Sequence, residues 1–142
     1  MADMDGKSYI IIVQCHIVKE RCSGYFCEKA FFQRNGLFTD YPSDTPIRML
    51  NMTCGGCCGR AVHRKLSDFL NAIKKKEGIT KDRIVVHLSS CIVKENFHGP
   101  KCPHLDYLKD LIGNKHGLDI VEGTRISKIS EARREKGIYS DK

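Results

Sequence analysis

Residues 9–13 read Tyr-Ile-Ile-Ile-Val, an apolar and mostly β-branched run with no polar position inside it. A strand with one face in water alternates polar and apolar residues, so a strand without alternation must be covered on both faces. That is the situation of a strand in a parallel sheet flanked by helices, and such a sheet needs helical crossovers between its strands. The rest of the chain supplies them. Spacing predicts a helix from Ser23 to about Asn35, with Phe26, Ala30 and Phe31 on one side and Gly36 as its stop. Residues 37–46 hold Pro42 and Pro46 and read as a loop, and Ile47 to Met52 as a second strand. Gly59 to Lys76 carries the strongest helical pattern: Val62, Leu66, Phe69, Leu70 and Ile73 share a face, Lys74, Lys75 and Lys76 sit at the negative end of the dipole, and Gly78 follows. Arg83 to Leu88 reads as a third strand. Pro103 to about Asn114 reads as a third helix with proline in its first turn and Leu105, Leu108, Leu111 and Ile112 on one face. Leu118 to Val121 is a fourth short strand, and the polar stretch from Ser127 onward is a short terminal helix or a frayed end.

The βαβαβαβ order predicts an α/β fold: a three-layer sandwich around a mostly parallel sheet of four to five strands, flavodoxin-like or Rossmann-like. A chain of 142 residues suits one such domain over 1–126, followed by a polar tail or short helix over 127–142. No apolar run approaches the about 20 residues of a membrane helix, so no membrane partner is expected. The first eight residues, MADMDGKS, do not form a signal peptide, which leads us to expect a cytoplasmic protein. The net charge of +7 is dispersed rather than gathered in a stripe, so it reads as a solvated surface, and nucleic acid is not an expected partner. The chain has no G-x-x-x-x-G-K-[ST] phosphate loop and no G-x-G-x-x-G after the first strand, which removes the usual nucleotide sites of this fold class.

The eight cysteines are placed with respect to this framework. Cys15 follows the first strand, Cys54 the second and Cys91 the third. Cys22 and Cys27 come after the first strand, Cys57 and Cys58 after the second, and Cys102 after the third. In a parallel sheet all carboxyl ends share one edge, where open α/β folds hold their ligands. Only Cys27, near the start of its helix, falls inside an element. In a reducing compartment clustered thiols bind metal or do redox chemistry more often than they form disulfides. The turn Cys54-Gly-Gly-Cys57 can bite one tetrahedral metal, and as it enters a helix the free amides and the dipole face its sulfurs. The same arrangement serves a redox pair, with Cys54 attacking and Cys57 resolving. Thiols arriving from other loops favour metal. We therefore take Cys15, Cys54, Cys57, Cys91 and Cys102 as inner ligands, with Cys22 and Cys27 completing the site or forming a second one. Zinc suits a set of four Cys or His ligands, and an iron–sulfur cluster suits four thiolates, so both stay open.

Among the six histidines, His16 and His104 sit beside cysteines in the ligand loops, with His98 nearby. They read as solvated residues or as hydrogen-bond donors to a thiolate more than as ligands. His87 lies inside a strand and reads as a packed, hydrogen-bonded residue, whereas His63 and His116 read as surface histidines.

The series Cys15, Cys22, Cys27, Cys54-Gly-Gly-Cys57, His87-Leu-Ser-Ser-Cys91, Cys102-Pro103 and Gly123-Thr124 resembles the CGGC domain family from about Tyr9 to Thr124. The resemblance implies a cysteine-rich, metal-binding domain, zinc above other metals, and implies no reaction. Two features depart from the pattern. Arg125 stands where the family tends to have histidine, and Cys58 lies next to the motif rather than in it. Three functions compete: a metal-binding protein, a thiol-dependent reductase or oxidoreductase using Cys54 and Cys57, and a zinc-containing nucleic-acid module.

Overall fold

The computed structural model describes residues 7–16, 23–42, 46–54, 60–93 and 104–124. Four strands run along it: β1 (Tyr9–Gln14), β2 (Arg48–Thr53), β3 (Ile84–Leu88) and β4 (Asp119–Glu122). Between β1 and β2 lies α1 (Tyr25–Gln33), then a 3₁₀ turn at Gly36–Phe38. Between β2 and β3 lies α2 (Arg60–Glu77), then a 3₁₀ turn at Lys81–Arg83. After β3 come a short helix, α3 (Ser90–Val93), and α4 (Leu105–Lys109), which runs on into a π-helical turn at Asp110–Lys115.

The strands pair in the order β2-β1-β3-β4, all parallel. The chain first steps outward from β1 to β2, then crosses back over β1 to β3 and on to β4. Right-handed crossovers therefore send α1 to one face and α2 and α4 to the other. The packing follows this rule. Tyr9, Ile11, Val13, Ile84, Val86 and Leu88 pack with Val62, Leu66, Leu70 and Ile73 of α2 and with Leu105 and Leu108 of α4. Ile10, Ile12 and Val85 pack with Ala30 and Phe31 of α1 and with Phe38 and Tyr41 beyond it. This is the expected three-layer α/β sandwich, and its strand order is the flavodoxin-like one.

The helix boundaries have local causes. α2 ends with three lysines in its last turn, and Gly78, at φ +68°, donates its amide to the Lys74 carbonyl at 3.1 Å in the left-handed stop that glycine adopts without strain. The third predicted helix does not run as one regular α-helix. The His116 amide bonds the Leu111 carbonyl at 3.1 Å, five residues back, so the α geometry gives way to the wider π turn. At the amino edge of the sheet the Lys7 ammonium is buried. It donates to the Asp82 carbonyl at 2.8 Å and to Asp119 at 2.5 Å, so one side chain joins the start of β4 to the turn before β3. Among the described residues, no helix is long and apolar enough to cross a membrane.

Ile11 is fully buried in β1, whereas Phe32 on α1 is 77% exposed. Ile11→Ala is expected to cost about 2–5 kcal/mol. Phe32→Ala should stay within about 0.5 kcal/mol of the parent. Urea unfolding of the two variants checks both values.

Candidate metal centre

The carboxyl edge of the sheet is ordered by bonds that continue the strand ladders past their ends. The Cys54 amide donates to the Gln14 carbonyl at 3.2 Å, the Ser89 amide to the Val13 carbonyl at 2.9 Å, and the Gly123 amide to the Leu88 carbonyl at 2.7 Å. The first residues of three loops are thus held in register by the sheet. The connections leaving β1 and β3 go opposite ways, which makes the gap between those two strands the switch point where this topology binds ligands.

Cys15 and Cys54 stand at this edge, directly after β1 and β2, and both are buried. Cys27, the third residue of α1, is half-buried. The backbone of Cys91 lies in α3, so this cysteine belongs to a helix and not to the expected loop. Of the predicted ligands, Cys22, Cys57 and Cys102 lie outside the described residues, as do Cys58, His98 and Arg125.

The structure brings Cys27 to the edge through Thr124. The Thr124 hydroxyl lies 3.2 Å from Cys27 Sγ and 3.4 Å from the Ser90 amide, while the Thr124 amide donates to Ser90 Oγ at 3.2 Å. Since the hydroxyl oxygen accepts from the Ser90 amide, its own proton is available to the sulfur. The Thr124 carbonyl accepts from the Leu37 amide at 2.9 Å. Thr124 is fully buried and clasps α1, the loop after β3 and the end of β4 together. Gly123 precedes it at φ +117°, and a Cβ there would meet the Leu37 side chain at 3.2 Å. Only glycine fits both the backbone angle and the space.

The thiols do not all face one layer. Cys15 and Cys54 belong to the core on the α2 side, and Cys27 packs against the core on the α1 side. Among the described residues, no three Cys, His, Asp or Glu side chains form a group able to hold a metal ion. In kind, though not as one grouped site, the described donors are those a metal takes: the sulfurs of Cys15, Cys54 and Cys27, and a buried side-chain oxygen, Gln14 Oε1, with no hydrogen-bond partner among the described residues. Soft sulfurs with an oxygen are a donor set that zinc accepts.

The histidines separate clearly. His16 is exposed, and its Nδ1 lies 3.2 Å from the Thr53 hydroxyl, linking the ends of β1 and β2. His104 is exposed at the start of α4. His87 is fully buried, as expected from its place in a strand. Its Nδ1 lies 2.8 Å from the Gly123 carbonyl, which can only accept, so Nδ1 carries the proton. Nε2 then accepts from the Tyr41 hydroxyl at 2.6 Å. Burial pushes the imidazole pKa down to about 4, partly offset by the bond to Gly123. Burial also pushes the Tyr41 hydroxyl well above its ordinary value, and the nearby charges of Asp40 and Asp119 add to this. The pair is neutral, and Phe38 lies over the imidazole with ring centroids 4.4 Å apart.

One histidine reading is corrected. His116 is not a surface residue: it is buried after the π turn, with its Nε2 3.0 Å from Nδ1 of the exposed His63 on α2. Burial is the first cause of its lowered pKa, followed by repulsion from His63 and Lys81. Sequence reasoning also gave no role to Gln14, Ser90, Thr124 or Tyr41. The signal for Gln14 was present: it is a polar residue closing the run Tyr-Ile-Ile-Ile-Val.

Unfolded His87 takes up its proton near 6.5 and folded His87 only at about 4, so the unfolded state binds more protons between these values. The contribution of His87 to stability is complete above about pH 6.5 and is lost as pH falls toward 4, by on the order of 2–3 kcal/mol. His87→Gln should flatten that part of the pH dependence when urea unfolding at pH 7 and pH 4.5 is compared. An equal slope in parent and variant would count against it.

A family model described as CGGC domain matches residues 9–125. Comparison with curated proteins gives no match, and neither does comparison with solved structures.

Proposed function

We propose that this chain, which belongs to the CGGC domain family, is a metal-binding protein whose cysteines hold zinc at the carboxyl edge of the parallel sheet. Family membership suggests metal binding in general. The choice of zinc, with an iron–sulfur cluster as the alternative cofactor, rests on the donor chemistry. The observation that carries the reading is the pair of buried cysteines Cys15 and Cys54 at the ends of adjacent strands. Cys54, Cys57, Cys91, Cys102 and Cys15 form the inner set in this reading, and Cys22 and Cys27 complete it or serve a second ion. The bound metal would supply a fixed positive charge and Lewis acidity at the switch point. In this reading the domain would span 1–126, with 127–142 as a polar tail or short helix, and a reducing compartment such as the cytoplasm would keep the thiols available.

The competing reading is a thiol-dependent reductase with Cys54 attacking and Cys57 resolving. It requires a substrate to reach Cys54 Sγ, and Cys54 is 7% exposed. A buried thiol packed in the core is better suited to hold an ion than to attack a disulfide.

Protein purified without oxygen is expected to contain stoichiometric zinc and to be colourless. Stoichiometric iron with a visible charge-transfer band would instead establish the cluster. Absence of both, with all thiols titrating freely, would overturn the reading. Removing the metal with a strong chelator should lower stability by about 3 kcal/mol where the metal had been at 100 times its Kd. Cys54→Ser should lower the metal content, whereas a redox role predicts lost disulfide turnover at unchanged metal content.

A further inference from the structure

β1 ends on a side chain whose oxygen the described residues leave unsatisfied. Gln14 is the last residue of the strand and is 2% exposed. Its main-chain carbonyl is occupied by the Cys54 amide. Its side-chain Oε1 is closed off from solvent and has no hydrogen-bond partner among the described residues. Such an oxygen is a net destabilising element, and an apolar side chain of similar volume would relieve it. A leucine here would simply extend the apolar run of the strand.

Strand alternation decides which way Gln14 faces. Ile10 and Ile12 pack in the core on the α1 side, so Gln14 lies on that side, while Cys15 turns to the α2 side. On the α1 side the same edge carries Cys27, held by Thr124, which is tied to Ser90 after β3. β1 and β3 are the strands that flank the switch point. A buried acceptor oxygen at a ligand edge, on the side of the Cys27 thiol, calls for a group that brings positive charge.

We propose that Gln14 Oε1 belongs to the coordination shell of the bound metal on the α1 side of the edge, contacting the ion directly or through its bound water. This rests on the metal-binding reading above. Gln14 then supplies a hard oxygen on the same side of the edge as the soft sulfur of Cys27, and the cost of its burial is recovered when the ion is present.

The test uses the full-length apo protein in three forms: parent, Gln14→Leu and Gln14→Glu. Each is titrated with zinc against a chromophoric chelator, and the same apo samples are melted. Gln14→Leu should raise the apo melting temperature by a few degrees and weaken zinc binding at least about tenfold. Gln14→Glu keeps an oxygen at the position and should hold zinc with an affinity near that of the parent. The proposal is overturned if Gln14→Leu binds zinc as the parent does, if it lowers the apo melting temperature, or if Gln14→Glu loses as much affinity as Gln14→Leu. A parent chain that binds no zinc at all is a different result: it removes the metal-binding reading, and this proposal with it.

Discussion

The rest of this structure depends on β1 being buried on both faces. Ile10, Ile11, Ile12 and Val13 are fully shielded, with α1 covering one side and α2 the other. A strand in this position cannot display a reactive side chain along its length without burying a polar group in the core. Its chemistry is displaced to its carboxyl end, at Gln14 and Cys15. Because all four strands are parallel, the ends of β2 and β3 bring Cys54 and Ser89 to the same edge. The ladder bonds then run one step further than the strands. The cores of the two layers thereby set the positions of the first loop residues.

The α1 side of that edge is fastened by a second set of bonds centred on Gly123 and Thr124. The Gly123 carbonyl holds His87, His87 holds Tyr41, and Thr124 holds Leu37, Ser90 and Cys27. Every polar atom named in that chain has a partner, which is the condition under which a buried network specifies one arrangement rather than weakening the core. Neutral His87 is part of the design. With Nδ1 donating and Nε2 accepting, the ring joins one carbonyl and one hydroxyl, whereas a charged ring would donate at Nε2 and take away the acceptor of the Tyr41 hydroxyl proton. Gly123 completes the device, since a side chain there would push Leu37 away and loosen the contact that Thr124 makes with the same residue.

Much of this was legible in the sequence because it depends on pattern. The unalternating run of β1 implied a doubly covered strand, and the spacing of Val62, Leu66, Leu70 and Ile73 implied the face of α2 that is buried. Strand ends could be placed well enough to put Cys15, Cys54 and Cys91 at one edge. What escaped were features that periodicity does not encode. One added residue converts α-helix into a π turn without disturbing the apolar face of Leu108, Leu111 and Ile112, so the turn at Asp110–Lys115 was invisible. Its consequence was invisible too: the burial of His116 against α2 follows from that turn. That Gln14 Oε1 has no partner among the described residues is a property of packing in three dimensions. Sequence could offer only the oddity of a polar residue at the end of an apolar run.

The distribution of thiols over two layers sharpens what a metal site here must look like. Cys15 and Cys54 lie in the α2-side core and Cys27 against the α1-side core, with the backbone of β1 between the two sides. In the proposed reading, one ion using both groups would lie past the strand ends, where the two sides meet. Two ions could each remain within a layer. In the proposed site Cys54 stands on the α2 side, and the described donors on the α1 side are Cys27, held by Thr124, and Gln14. The clasp around Thr124 therefore bears on the proposed site as well, because it holds Cys27 at this edge.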